Sequence, residues 1–196
     1  MIARIPLKLL TTILCVLLSY NSFAQDWPSY GGDNGSRKYS ALDQINSSNV
    51  GRLETAWEWD SVDNATVANN IEQENFRAMP AGFKATPIVI DGIMYIPTSF
   101  GRVVALDAAS GEEKWVFDTA AWETGRPPNL GYNSRGVAYW EKGAEQRIFF
   151  ATNDAYLWSL RVENGQPDTS FGEQGKVDLT QGLGREVDRR QYGVVS

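Results

Sequence analysis

The sequence of 196 residues contains no histidine and a single cysteine, Cys15. Histidine is the side chain that most often serves as a general base near neutral pH, and it is the commonest ligand of transition metals. Structural zinc sites are built from several Cys and His ligands, so these counts exclude one. Any metal bound by this chain would be a hard cation held by oxygen ligands.

Positively charged residues are also fewer than negatively charged ones. The sequence has 18 Lys and Arg residues and 24 Asp and Glu residues, so the formal net charge is −6. Proteins that bind nucleic acid need a basic surface to meet the phosphates, so this balance argues against a nucleic-acid partner. The hydrophobic fraction of 42% is ordinary for a globular protein and excludes a disordered or collagen-like chain. We therefore expect a folded domain that binds neither DNA nor RNA.

The first residues have the three-part pattern of a secretory signal peptide. Arg4 and Lys8 precede an apolar run at residues 9–18, and small residues stand before a cleavage point after Ala24. An uncleaved N-terminal anchor is the alternative, but the apolar run is short for a membrane span. We predict that residues 1–24 are a signal peptide and that the exported chain folds without a disulfide.

Residues 25–196 contain short apolar runs bounded by turn residues, and no long stretch has apolar residues at helical spacing. Asp91-Gly92 joins two of these runs and is among the strongest two-residue hairpin signals. Four runs are predicted to form an antiparallel meander, at residues 88–90, 93–96, 102–106 and 114–117. The sequence therefore predicts an all-β structure for this part of the chain.

The pattern is then repeated, with strands predicted at residues 147–151 and 156–160. The segment 104–111 aligns with 158–165, which places the two copies on the order of 50 residues apart, as in propeller repeats. Four strands per repeat at this period are typical of a β-propeller. A β-sandwich also has short strands at regular spacing and is the alternative, although the pattern favours the propeller.

The segment Ala105–Trp115 resembles the tryptophan-docking motif, A-x-D-x-x-T-G-x-x-x-W, of the quinoprotein dehydrogenases that use pyrroloquinoline quinone (PQQ). In this motif the flat Trp ring stacks on a peptide plane of the neighbouring blade. Further segments resemble the family in the family's order, at residues 26–33, 37–40, 45–50, 53–57, 85–92 and 135–140. Residues 171–179 resemble the glucose-type, membrane-linked branch in particular, so the resemblance covers residues 26–196.

The resemblance implies an eight-bladed β-propeller of several hundred residues, of which this chain holds only the first two to three blades. Residues 25–196 would then be the N-terminal portion of an incomplete propeller, inactive alone and prone to aggregate through its open strand edges. The resemblance also implies a periplasmic enzyme that depends on PQQ and Ca²⁺, with association with the membrane as an option. It would oxidise a sugar or polyol hydroxyl and pass electrons to a membrane quinone or a cytochrome.

Three residues match, or stand at, cofactor-contacting positions of the family. Arg135 would pair its guanidinium with a cofactor carboxylate, and a salt bridge between blades is its alternative role. Thr152 would hydrogen-bond the cofactor, although Thr also simply suits a strand end. Lys84 stands where many members carry a Glu that contacts the cofactor, and it would pair with a carboxylate unless it is an ordinary solvated Lys.

Other features of the family have no counterpart here. Alcohol-oxidising members carry two adjacent Cys residues where this chain has Asn129 and Leu130, which argues against the methanol- and ethanol-oxidising branch. By resemblance, the Ca²⁺ ligands and the catalytic Asp lie beyond Ser196, so we assign no catalytic residue and no metal ligand in this chain. We do not assign a catalytic base to Asp107, Asp154 or Asp178, which are interpreted as docking-motif or turn residues.

Two further hypotheses belong to other functional classes. A non-catalytic propeller scaffold of the outer-membrane assembly type would carry a lipobox Cys and would lack the segment at 135–140, so the sequence favours the enzyme. A secreted lectin-like propeller would use exposed Trp residues such as Trp122 and Trp140. The charged segment 185–190 has no apolar periodicity and is predicted to be a solvated loop.

Overall fold

The computed structural model describes residues 25–75, 78–80, 82–128 and 131–194. The predicted signal peptide, Asn129 and Leu130 lie outside the described residues. The described chain forms two four-stranded antiparallel sheets, which confirms the predicted all-β propeller architecture with two complete blades. No helix in the described ranges is both long and apolar enough to cross a membrane.

The first sheet is the predicted meander. Its strands are β1 (Ile88–Ile90), β2 (Ile93–Pro97), β3 (Arg102–Asp107) and β4 (Glu113–Asp118), hydrogen-bonded in that order. The hairpin turn has φ of 50° at Asp91 and 76° at Gly92, the positive values that a type I′ turn requires. Asp-Gly was therefore a reliable signal for this turn.

The second sheet repeats the same order with strands β5 (Ala138–Lys142), β6 (Glu145–Ala151), β7 (Tyr156–Arg161) and β8 (Lys176–Asp178). Sequence patterns predict β6 and β7 but neither outer member. Most of β5 is exposed, so it lacks an apolar face, and β8 has only three residues.

The main core lies between the two sheets. It consists of buried apolar residues that alternate along the strands of both sheets: Ile88, Ile90, Tyr95, Val103, Ala105, Ile148, Phe150 and Leu160. The first sheet is buried on its second face as well, where Val104 and Leu106 pack with Trp57 and Trp59 of the N-terminal segment. This sheet is therefore the middle layer of a stack, as a propeller blade is.

The tryptophan-docking motif joins the blades as the resemblance implies. Trp115 of β4 donates its indole Nε1–H to the backbone oxygen of Val162 at 3.0 Å. Its ring packs on Gly165, where an added Cβ would lie 2.4 Å from the ring and where φ is 70°. Only glycine fits this position without movement of the ring, because both the space and the backbone conformation exclude a side chain.

Trp57 makes the same contact with the first blade. Its Nε1–H donates to the backbone oxygen of Ala108 at 3.2 Å, and an added Cβ on Gly111 would lie 2.6 Å from its ring. Residues 53–60 have no strand partner within the described ranges. They nevertheless lie against the first blade as β4 lies against the second, so the docking geometry occurs twice.

Among the residues that the structure describes, one α-helix, α1 (Asp63–Glu72), precedes the first sheet. Its residues are mostly polar, so apolar spacing does not reveal it. The buried carboxylate of Asp63 accepts hydrogen bonds from the Thr98 hydroxyl at 2.8 Å, the Phe100 amide at 3.0 Å and Arg102 Nη1 at 2.7 Å. These contacts tie the start of α1 to the β2–β3 turn.

Candidate functional site

The three predicted cofactor residues lie at the same end of their sheets. Successive strands of an antiparallel meander alternate in direction, so the start of the first strand and the end of the second meet at one edge. Lys84 precedes β1, Arg135 precedes β5, and Thr152 follows β6. The topology therefore collects all three at one face of the two blades.

Two of the three residues, Lys84 and Arg135, line a single cleft with a volume of about 450 Å³. Its walls are formed by Tyr30, Lys84, Thr86, Ile88, Arg135, Gly136 and Val137. The Thr86 amide donates to the Arg135 backbone oxygen at 2.7 Å, which ties together the two segments that lead into β1 and β5. This volume falls within the range of about 300–1,000 Å³ that is usual for small-molecule pockets.

The cleft is positively charged. Lys84 and Arg135 both line it, and no carboxylate does so among the described residues. Neither side chain has a hydrogen-bond or ion-pair partner within the described parts of the chain, so Arg135 does not form a salt bridge between the blades there. Both side chains are exposed, so both are available to a bound anion. The partly exposed apolar side chain of Val137 adds a surface suited to a flat, anionic molecule.

Thr152 occupies a different position. The described residues that line the cleft do not include it, and its side chain is 1% exposed. Its hydroxyl lies 2.5 Å from Asp154 Oδ1 and 3.2 Å from the Tyr156 backbone oxygen. The single hydroxyl proton is therefore used within the β6–β7 turn, and only its lone pairs are available to another group. A cofactor contact by Thr152 stays a prediction.

Tyr30 is a cleft residue that sequence patterns miss. It reaches the cleft because Trp27 pairs with Val89 of β1 through two backbone hydrogen bonds, of 2.8 and 3.0 Å. The Asp26 carboxylate also accepts a hydrogen bond from the Asp91 amide at 2.9 Å. The N-terminal segment is thereby laid along the free edge of β1, a pairing between residues far apart in sequence that no local signal announces.

The three Asp residues interpreted as docking-motif or turn residues have structural partners outside the cleft. Asp107 accepts hydrogen bonds from the Ser110 amide and hydroxyl, which lower the pKa of its carboxyl. Hydrogen bonds from Thr180, Gln181 and Arg189 lower the pKa of Asp178. Asp154 holds the Thr152 hydroxyl. Each carboxylate is thus used to cap a turn or to hold a loop.

The charged segment 185–190 is only partly the solvated loop that we expected. Most of its residues are exposed, but Arg189 donates to the Asp154 backbone oxygen at 2.9 Å and pairs with Asp178. Its guanidinium also lies over the Tyr156 ring, 4.3 Å from the centroid. Arg189 therefore fastens this segment across the β6–β7 turn.

The Trp residues of the lectin-like hypothesis differ in exposure. Trp122 packs against Phe100, with ring centroids 5.8 Å apart, whereas Trp140 is 40% exposed on β5. Within the described ranges, no group of three or more His, Cys, Asp or Glu side chains is placed to hold a metal ion.

Comparison with known proteins identifies the family. The family described as "PQQ: Glucose/ethanol/alcohol dehydrogenase, beta-propeller domain" matches residues 27–196. The chain belongs to this PQQ-dependent dehydrogenase family. The match covers both blades, both Trp docking contacts and every residue of the cleft, which confirms the resemblance drawn from the motifs.

Individual relatives agree with this assignment. The chain is 33% identical over 173 residues to the quinoprotein glucose dehydrogenase of Escherichia coli, covering 79% of this chain and 20% of the relative. It is also 33% identical over 147 residues to the dehydrogenase subunit of the quinone-dependent alcohol dehydrogenase of Gluconobacter oxydans, covering 72% of this chain and 16% of that subunit. The sequence thus spans a fifth or less of these relatives.

A solved structure of this family also has a similar fold. The quinohemoprotein alcohol dehydrogenase of Comamonas testosteroni superposes with a TM-score of 0.58 and 27% identity, over 86% of this chain and 21% of that one. Glucose and alcohol dehydrogenases are thus matched to similar degrees. The family is established by these matches, and they do not single out a substrate branch.

Proposed function

We propose that this chain is the N-terminal portion of a PQQ-dependent dehydrogenase and that the cleft beside Lys84 and Arg135 binds the cofactor. The observation that carries the proposal is that two cations line one cleft, with no ion-pair partner and no carboxylate in the lining among the described residues. PQQ is a planar tricarboxylate, so its anionic groups match this donor set. When bound, its ortho-quinone supplies the oxidising power, taking up the hydride equivalent that leaves the substrate carbon as C–OH becomes C=O.

The residues of this chain would bind and orient the cofactor. Arg135 offers a planar fork of N–H donors that suits a carboxylate and stays charged at any working pH. Lys84 offers a second, more flexible cation to another carboxylate. Val137 would cover part of the ring and exclude water from it, which strengthens the neighbouring charge contacts.

The binding experiment uses purified complete gene product and PQQ, with tryptophan fluorescence quenching as the readout. We expect Arg135→Ala to weaken PQQ binding about ten- to hundredfold, because a charge-assisted hydrogen bond to a carboxylate is lost. Lys84→Ala should weaken binding to a smaller extent, since its single ammonium is more flexible.

Lys142→Ala is the matched control, because Lys142 is an exposed cation of β5 that does not line the cleft. It should bind PQQ as the unaltered protein does. Unchanged affinity in Arg135→Ala, or an equal loss in all three variants, would contradict the proposed site.

The substrate is proposed to be a sugar or polyol. The support is the resemblance of residues 171–179 to the glucose-type branch and the absence of adjacent Cys residues at 129 and 130. Reduction of an artificial dye by the PQQ-loaded protein should be faster with glucose or a polyol than with ethanol. A preference for ethanol would refute this part of the proposal.

The remaining features are proposed on the family resemblance and the leader pattern. They are a Ca²⁺ ion held by ligands outside the described residues, transfer of electrons to a membrane quinone or cytochrome, and export to the periplasm. Export predicts that the purified periplasmic protein begins at Gln25, which N-terminal sequencing measures directly. A mature protein that retains Met1 would contradict cleavage of the signal peptide.

A further inference from the structure

Tyr30 stands out in the cleft because it comes from a separate part of the chain and has no role in the proposed binding by Lys84 and Arg135. It lines the cleft, and its side chain is largely exposed. The segment that carries it is fixed on both sides. Trp27 pairs with β1, and the Gly32 amide donates to the Ser29 backbone oxygen at 2.9 Å, closing a turn around Tyr30. The backbone that carries Tyr30 is therefore anchored beside the cleft before any ligand binds.

The position of Lys38 fixes the hydrogen-bonding state of this phenol. The Lys38 ammonium lies 3.3 Å from Tyr30 Oη and 4.6 Å from the centroid of the Tyr30 ring. An ammonium group only donates hydrogen bonds, so the phenolic oxygen must be the acceptor. The phenolic proton is then free to point elsewhere, and no described residue accepts it.

The backbone at Lys38 is held next to Tyr30 in an uncommon conformation. Lys38 has φ of 53°, a left-handed conformation that residues with a side chain rarely adopt. Its amide donates to the Gly31 backbone oxygen at 2.9 Å, next to Tyr30. Such conformations persist only where the surrounding structure enforces them, and they cluster at ligand-binding sites.

We propose that Tyr30 is a third cofactor-binding donor of the cleft, giving its phenolic hydrogen bond to a carboxylate or carbonyl oxygen of PQQ, and that Lys38 positions it. This inference rests on the proposed function of the cleft. The Lys38 ammonium polarises the phenol and makes its O–H a stronger donor. The N-terminal segment thereby becomes a wall of the cofactor site as well as a support for β1.

The experiment measures equilibrium binding of PQQ to the complete gene product and to its Tyr30→Phe variant, which keeps the ring and removes only the hydroxyl. We expect about tenfold weaker binding, the usual effect of losing one hydrogen bond to a charged acceptor. Tyr39→Phe is the control, because Tyr39 lies in the same segment, is 72% exposed and does not line the cleft. Its affinity for PQQ should not change.

A double-mutant cycle separates positioning from general support. Lys38→Met should weaken PQQ binding severalfold in the unaltered protein and should have no further effect in the Tyr30→Phe background, because it acts through the phenol. Thermal unfolding without PQQ checks that all variants are folded. Additive effects of the two substitutions would contradict the positioning role of Lys38.

The outcomes distinguish this inference from the proposed function. If Arg135→Ala weakens PQQ binding but Tyr30→Phe binds within twofold of the unaltered protein, the role of Tyr30 is wrong and the cofactor site stands. If the unaltered protein binds no PQQ, or Arg135→Ala has no effect, both the site and this inference are wrong.

Discussion

At the scale of single residues, motifs revealed the cations of the cleft but not its geometry. Arg135 was predicted because it stands in a recognisable segment, and Lys84 because it replaces an expected residue. Lys84 and Arg135 come together because the segment before β1 is hydrogen-bonded to the segment before β5. These two segments are separated in the sequence by about the length of one repeat. Tyr30 was missed for the same reason, since long-range pairing leaves no periodic signal in the sequence.

Substitution of the glycine under a docked Trp should lower the stability of the protein. Gly165→Ala forces a left-handed backbone on alanine, which costs about 1–2 kcal/mol, and it also displaces the Trp115 ring, which costs about 1–3 kcal/mol as overpacking. We expect the free energy of unfolding of the complete gene product, measured in urea, to fall by about 3 kcal/mol.

Gly143→Ala is the matched control. Gly143 also has positive φ, of 62°, but an added Cβ would meet nothing within 4 Å. Only the backbone penalty of about 1–2 kcal/mol applies there. Equal destabilisation by the two substitutions would show that the contact between Trp115 and Gly165 contributes nothing.

At the scale of elements, local signals predicted strands well and the helix not at all. Asp91-Gly92 specified its hairpin because positive φ at both positions is a local requirement. The helix α1 has no apolar stripe. Its start is anchored because Asp63 is buried against the β2–β3 turn, where it accepts a hydrogen bond from Thr98, 35 residues further along the chain. Only the three-dimensional structure reveals an anchor of this kind.

Removal of Arg102 should release α1. Arg102 bridges Asp63 at 2.7 Å and Asp118 at 2.8 Å, and Asp63 is 5% exposed. Arg102→Met leaves that carboxylate buried without its cation, which typically costs about 3–5 kcal/mol. We expect a loss of this size in the free energy of unfolding, and faster amide hydrogen exchange across residues 63–72.

Arg37→Met serves as the control for this effect, because Arg37 pairs with Asp33 through a side chain that is 77% exposed. Exposed ion pairs contribute about 0–1 kcal/mol, so stability should hardly change. If Arg102→Met proved as mild as Arg37→Met, the anchoring of α1 by the buried ion pair would be refuted.

At the scale of the whole molecule, two blades, two docked Trp residues and one cationic cleft form a consistent arrangement. The repeat of short strands favoured a propeller over a sandwich, which the two stacked sheets confirm. The sequence could not predict which faces meet, because docking of Trp57 and Trp115 depends on the glycines of the next blade. The same stacking brings the segments before β1 and β5 together and so creates the cleft.

The most direct test of the central claim is an experimental structure of the complete gene product crystallised with PQQ. We predict cofactor density in the cleft, with one carboxylate within hydrogen-bond distance of the Arg135 guanidinium and another close to the Lys84 ammonium. Cofactor density at a site away from this cleft, with Arg135 and Lys84 left in solvent, would contradict the proposed function.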